Sequence, residues 1–203
     1  MWALVQDGTV TKTFNYAKGF VLNDTQYPKD IFTKWSKAEK EAIGIYEVIV
    51  DKTNYKDSKY YNNTNSTIAF ANNQVTESWG TATAKRLVDE NAVDEDGNPI
   101  LEDGVQVINY GLKTEKKRIV KDQAAGLLAK TDWYVVKATE VADYTVPADI
   151  TTYRAAVRTR SNEMETAIDN AADVDALKTL YEYTEQADGT STRPLGEWPE
   201  EVI

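Results

Sequence analysis

The stretch GLKTEKKRIVKDQAAGLL, residues 111–128, marks the change of character that decides the fold of this chain. Before Gly111 the sequence is rich in Thr, Val, Tyr and Asn with Asp-Gly and Asn-Asn turn signals, a pattern typical of short strands. After it, Ala, Lys, Glu, Leu and Arg recur at helical spacing. The sequence therefore predicts an α+β fold in two domains. Antiparallel β hairpins with one short helix occupy 1–110, and an α-helical hairpin or bundle occupies 111–203.

The first helix of the second half has an apolar face with a period of 3.6 residues. A second helix is predicted to begin at Asp132, because the Thr131 hydroxyl and the Asp132 carboxylate both suit a helix N-terminus. The apolar face of the first helix is predicted to comprise Leu112, Ile119, Val120, Ala124, Leu127 and Leu128.

A third helix is predicted to start near Pro147, whose missing N–H is harmless in a first turn. Its heptad-like apolar stripe needs a partner, either the first helix or a second chain, so a homo-oligomer is one expectation. A last helix follows a cap at Asp173. From about residue 186 the tail is predicted to be irregular. The stripe consists of Ile150, Tyr153, Val157, Met164 and Ile168.

The first half contains two clear hairpin signals, Asp7-Gly8 and Asn72-Asn73, each between alternating apolar residues. Ser36 and Glu39 match a capping box, which predicts a short helix over 37–43 that ends at Gly44. A strand is predicted to follow directly.

A third hairpin is predicted over 86–110, with its turn at residues 94–97 and many acidic side chains. We expect it to project into solvent and to contact a partner. Together with the tail tryptophan, it provides the candidate partner-binding residues, namely Asp94, Asp96, Ile100, Val105, Val107 and Trp198.

Composition argues against several classes of function. With 33 acidic and 23 basic side chains the net charge is -10, which disfavours nucleic acid as a partner. The chain has no Cys and no His, which excludes thiolate sites, His-containing zinc sites and Ser-His-Asp triads. An EF-hand loop starting at Asp94 would need Gly and Glu where Pro99 and Val105 stand. No cofactor, metal or catalytic residue is therefore predicted, and no apolar run is long enough for a membrane helix.

Three segments form an ordered motif: LLAKTDWYVV at 127–136, VPAD at 146–149 and YRAAVR at 153–158. The tail adds RPLGEWP at 193–199. This order resembles a pattern of helix, T-D-W, spacer, proline and Y-R-x-x-[LV]-R in tail-fibre assembly proteins and fibre-associated virion proteins of tailed bacteriophages. The resemblance covers about half of the chain.

The resemblance implies a non-enzymatic protein that binds a phage tail-fibre or other virion protein, as an assembly chaperone or as a retained accessory subunit. It would act in the host cytoplasm during assembly or in the tail of the virion. Two alternatives stay open: a structural virion protein such as a fibre base, tail adaptor or decoration protein, and, more remotely, a tail enzyme that degrades polysaccharide.

The same motif has a purely structural interpretation. Trp133 would wedge between the first and third helices. Arg154 and Arg158, one helical turn apart, would clamp an acidic group such as Asp132 or Glu140. The residues of this structural motif are Thr131, Asp132, Trp133, Tyr153, Arg154, Val157 and Arg158.

Overall fold

The computed structural model describes residues 1–202 and has the predicted mixed α+β fold, with strands first and long helices last. The chain divides into two units, Met1–Thr83 and a second unit from Ala84 onward. The division therefore lies before residue 84 rather than at the compositional change near Gly111. The segment 84–110 belongs with the helices.

A five-stranded sheet forms the centre of the first unit, in the order β2-β1-β5-β8-β7. Asp7-Gly8 and Asn72-Asn73 make its two tight turns with positive φ at all four residues, as the favoured hairpin turns require. The elements of this unit, with β9 at the division, are β1 (Trp2–Gln6), β2 (Thr9–Phe14), β3 (Phe20–Leu22), β4 (Thr25–Tyr27), α1 (Ile31–Lys34), α2 (Lys37–Ala42), β5 (Ile45–Asp51), β6 (Tyr61–Asn62), β7 (Ser66–Ala71), β8 (Gln74–Trp79) and β9 (Thr83–Ala84).

One pairing in this sheet departs from the prediction of antiparallel hairpins alone. β5 and β8 are parallel, with Val48 opposite Val75. β7 runs back outside β8, and the Asn72-Asn73 turn brings β8 between β7 and β5. A hairpin pattern predicts its own two strands but not the strand beside which it docks.

Both faces of the sheet carry apolar side chains, because alternate residues of a strand point to opposite faces. Leu4 and Ile45 belong to one core cluster, which includes Phe14 and the side chains of α1. Ala3 and Val48 belong to the other, on the face where β2 and β7 approach each other. The capping box predicted for α2 is present, with the Glu39 N–H donating to Ser36 Oγ and the Ser36 N–H donating to Glu39 Oε2.

The second unit is built around two long helices that pack on each other. The stripe predicted on the third of its helices is buried within the chain at all five positions. The elements are β10 (Glu90–Asn91), β11 (Leu101–Glu102), β12 (Val105–Gln106), β13 (Ile108–Asn109), α3 (Leu112–Ala129), α4 (Asp132–Glu140), α5 (Ala148–Asn170), α6 (Val174–Thr179), β14 (Thr184–Glu185) and β15 (Ser191–Thr192).

Two details of the prediction for the second half of the chain differ from the structure. Ile119 is exposed, because it lies about 100° around α3 from the buried Val120 and falls outside the face that contacts α5. The tail contains a small hairpin, in which β14 pairs with β15 around Gly189. The cap predicted at Asp173 is present, since its carboxylate accepts a hydrogen bond from the Ala176 N–H.

Candidate partner-binding surface

Residues 93–106 form a largely exposed segment that we call the finger. Its base is a two-stranded ladder in which β10 pairs with β13. Backbone hydrogen bonds continue from this ladder into the finger, from Ala92 N to Val107 O at 2.8 Å and from Ile100 N to Ala92 O at 2.9 Å. These bonds attach the finger to the ladder.

Gln106 fastens the base of the finger. Its side-chain amide lies 2.9 Å from Ala92 O, 3.2 Å from Ile100 O and 2.8 Å from Val107 O, so one NH₂ group connects three backbone segments. This role of Gln106 was not predicted from the sequence. A glutamine within a polar stretch carries no signal of such a role until the strands around it are placed.

Asp94 closes the first turn of the finger. Its carboxylate accepts hydrogen bonds from the Asn98 N–H at 2.8 Å, the Asn98 side-chain amide at 3.2 Å and the Asp96 N–H at 3.0 Å. These bonds, above all those from Asn98, hold the pKa of the Asp94 carboxyl below its usual value. Asp94 is therefore a turn residue, and its contact with a partner stays a prediction.

The finger contains a second turn that the sequence analysis missed. Asp103 and Gly104, both with positive φ, join β11 to β12 as a separate short hairpin. The predicted single hairpin over 86–110 is thus two turns in succession, around 94–97 and 103–104. The Asp-Gly pair was the available signal, since it is the same turn pair that was recognised at Asp7-Gly8.

The finger exposes apolar side chains between acidic ones, and the register of its second hairpin places Leu101 and Val105 on opposite faces. Val105 is 69% exposed, and the predicted contact residues Asp96 and Ile100 are also exposed. Val107, at the base of the finger, is half-buried, and its N–H and carbonyl both form backbone hydrogen bonds. The large apolar side chains exposed here are Val93, Ile100, Leu101 and Val105.

The segment before the finger is attached to the start of α3. Gly111, the residue before the helix, has no side chain to cap it. The preceding segment supplies the cap instead, since the Leu112 and Lys113 N–H groups donate to the carbonyls of Arg86 and Leu87. The Asp89 carboxylate completes it, accepting from the Gly111 N–H at 2.8 Å and from the Thr114 hydroxyl at 2.9 Å. A Cβ at Gly111 would lie 2.5 Å from the backbone carbonyl of Val88, so the close approach requires glycine. This attachment explains why 84–110 belongs to the helical unit.

The resemblance motif forms a junction between three helices. Arg154, 8% exposed, donates from Nη1 to Leu128 O at 2.9 Å and to Thr131 Oγ1 at 2.7 Å. Its Nη2 donates to Asp132 Oδ1 at 2.8 Å. The guanidinium of α5 therefore holds the end of α3 and the start of α4, where a cation and an anion respectively are favoured by the helix dipoles. The predicted clamp between Arg154 and Asp132 is present, and we call this set the Arg154 junction.

Three other predictions for the motif are corrected. The Thr131 hydroxyl does not cap α4 but donates back to Leu128 O, because it sits buried beside Arg154. Trp133 does not wedge between helices; it is 51% exposed and its ring lies 3.7 Å from that of Tyr134. Arg158 is exposed, and its guanidinium reaches only the carbonyl of Arg154, at 3.4 Å.

The tail packs on the helices, where the half-buried Trp198 anchors it. The predicted contact of Trp198 with a partner stays a prediction. Its ring packs against the core cluster of Ala124, Tyr153 and Val157, and its indole N–H donates to Gln123 Oε1 at 3.3 Å. Burial in this cluster raises the pKa of the Tyr153 hydroxyl. Arg160 was not predicted, yet its guanidinium donates to the carbonyls of Leu195 and Glu197 and so fastens the tail to α5.

Within residues 1–202, no helix is long and apolar enough to cross a membrane. In the same residues, no three or more Asp and Glu side chains are grouped so that they could hold a metal ion. In comparisons with protein-family models, curated proteins and solved structures, nothing matches this chain.

Proposed function

We propose that this protein is a non-enzymatic, tail-fibre-associated bacteriophage protein that binds a fibre or another tail component, as an assembly chaperone or a retained accessory subunit. The observation that carries the binding function is the finger, which presents Val93, Ile100, Leu101 and Val105 to solvent on a fixed backbone. Exposed apolar surface rimmed by polar groups is typical of protein interaction sites. The phage assignment is supported by the T-D-W and Y-R-x-x-V-R motif.

The charge of the finger indicates what kind of surface it would bind. Glu95, Asp96, Glu102 and Asp103 are exposed around the apolar side chains. A partner with a shallow apolar pocket and basic residues at its rim would be complementary in shape and in potential. The hydrogen-bonded base lowers the cost of binding, because little backbone freedom remains to be lost.

The test replaces apolar side chains without disturbing the finger backbone. Leu101→Ser with Val105→Ser removes two exposed apolar groups, and β11 and β12 keep their ladder because only backbone groups form it. We expect this variant to fold normally and to lose binding to purified fibres or tails. A matched control is Ile49→Ser with Val50→Ser, which removes two similarly exposed apolar side chains from the first unit.

Undiminished binding by the finger variant would contradict the proposal. Deletion of 86–110 is a poorer test, because it also removes the Asp89 cap of α3.

Mass spectrometry of purified particles would then separate the two forms of the proposal, since a retained subunit is present at a fixed stoichiometry and a chaperone is absent. Degradation of host polysaccharide by the purified protein would favour the enzyme alternative instead.

A further inference from the structure

The outer face of α4 is an apolar surface that nothing in its own unit covers. α4 contains no buried residue. Trp133 and Val136 are each 51% exposed, and Val141, directly after the helix, is 47% exposed. Residues three and four apart lie on one side of a helix, so Lys137 and Glu140 share this face with Trp133 and Val136. We call these residues, with Val141, the α4 face.

The two charges on the α4 face are available for pairing with another molecule. Both side chains are exposed, and neither forms an ion pair with any residue between Met1 and Val202. Lys137 Nζ lies 4.4 Å from the ring centre of Tyr144 and 5.8 Å from that of Trp133. These two rings hold the ammonium group at the surface, beside the apolar side chains.

The sequence around this face reads alike from either end: an aromatic residue, then a valine, then a charged residue. The two charged residues have opposite signs. From 136 forward the sequence reads Val-Lys, and from 141 backward it reads Val-Glu. Aromatic residues stand three positions further out on each side, at Trp133 and Tyr144. The centre of this pattern lies between residues 138 and 139. A two-fold contact needs such a surface, because residue i must fit residue j when j also fits i.

We propose that the α4 faces of two copies of this chain pack antiparallel about a two-fold axis. In that arrangement Lys137 of each copy lies opposite Glu140 of the other, and Val136 opposite Val141. Because each pair occurs twice, the contact contains two Lys137–Glu140 ion pairs and two Val136–Val141 apolar pairs. A parallel arrangement would place like charges together, which is destabilising. The partner is a second copy because the pattern is complementary to itself.

The contact is small, so the association is weak. Nine residues of helix span about 14 Å, and the face falls well below the roughly 800 Å² per partner of a standard stable interface. We expect a monomer–dimer equilibrium with a dissociation constant in the micromolar to sub-millimolar range. The net charge of -10 adds repulsion between copies, which physiological salt reduces.

Charge exchange tests this arrangement in the full-length protein. Sedimentation velocity from about 10 μM to about 1 mM should show a concentration-dependent dimer, over the range in which a weak contact is populated. Lys137→Glu and Glu140→Lys should each weaken dimerisation at least tenfold, because each places like charges opposite each other. Combining the two substitutions should restore it to near the original constant.

Lys59→Glu is the control, because it changes the net charge by the same amount at an exposed position in the other unit. It should leave the dimerisation constant within about twofold, since Lys59 is not part of the α4 face and salt screens exposed charges. A protein that stays monomeric up to the highest concentration would overturn the proposal. So would single variants that dimerise normally, or a double variant that does not recover. Dimer formation that depends on Trp133 but not on either charge would show that a different apolar contact is used.

Discussion

At the scale of single residues, the Arg154 junction shows how a short motif becomes a structural connection. Two nitrogens of one guanidinium donate to a helix-end carbonyl, a buried hydroxyl and a carboxylate. Lysine cannot reproduce this, because its ammonium is a point charge without the planar fork. The neighbouring Arg158 has the same chemistry one turn away but is exposed.

We predict that Arg154→Lys lowers the free energy of unfolding by about 1–3 kcal/mol, because Leu128 O and Thr131 Oγ1 lose good donors in a buried site. Arg158→Lys is the matched control and should change stability by less than about 0.5 kcal/mol. Chemical denaturation followed by circular dichroism measures both. Equal effects of the two substitutions would show that the junction contributes nothing specific.

At the scale of elements, the first turn of the finger depends on the ionised carboxylate of Asp94. The Asp94 carboxylate has a pKa below its usual 3.8, since hydrogen bonds from Asn98 favour its charged form. Its contribution to stability is complete above the unfolded pKa and is lost as the pH falls through the folded pKa. The turn should therefore hold throughout the neutral range and loosen only below pH 3.8.

We predict that the backbone amide resonances of Asn98 and Asp96 shift together in an acid titration, with a midpoint below 3.8. Asp94→Asn keeps an oxygen acceptor at the same place but cannot titrate, so its amide resonances should lack this transition. NMR titration of both proteins checks the assignment. An identical transition in the Asn variant would mean that another group controls the turn.

At the scale of the whole molecule, the chain divides where contacts end and not where composition changes. The residues before the finger accept hydrogen bonds from the start of α3, with the Leu112 N–H donating to Arg86 O and the Gly111 N–H to the Asp89 carboxylate. A helical fragment that begins at 111 therefore loses its cap and the backbone on which that cap depends.

We predict that a fragment of residues 84–203 folds cooperatively and melts at a higher temperature than a fragment of residues 111–203. Loss of the Asp89 cap alone costs about 1 kcal/mol, which corresponds to about 4–8 °C for a domain of this size. Thermal melts followed by circular dichroism compare the two fragments. The same melting temperature for both would contradict the placement of 84–110 in the helical unit.

The sequence by itself determined the local structure of this protein. Asp7-Gly8, Asn72-Asn73 and the Ser36–Glu39 capping box produce their turns and helix start through bonds between near neighbours, so their patterns sufficed. The stripe on α5 was recognised because helical spacing alone places its apolar residues on one face.

Only the tertiary structure decided which surfaces meet. It placed β8 parallel to β5, put 84–110 on the helical unit, buried Arg154 and left Trp133 exposed. Each of these outcomes depends on pairing between distant segments. Because an apolar strand or helix face is compatible with several partners of similar energy, local pattern cannot choose among them.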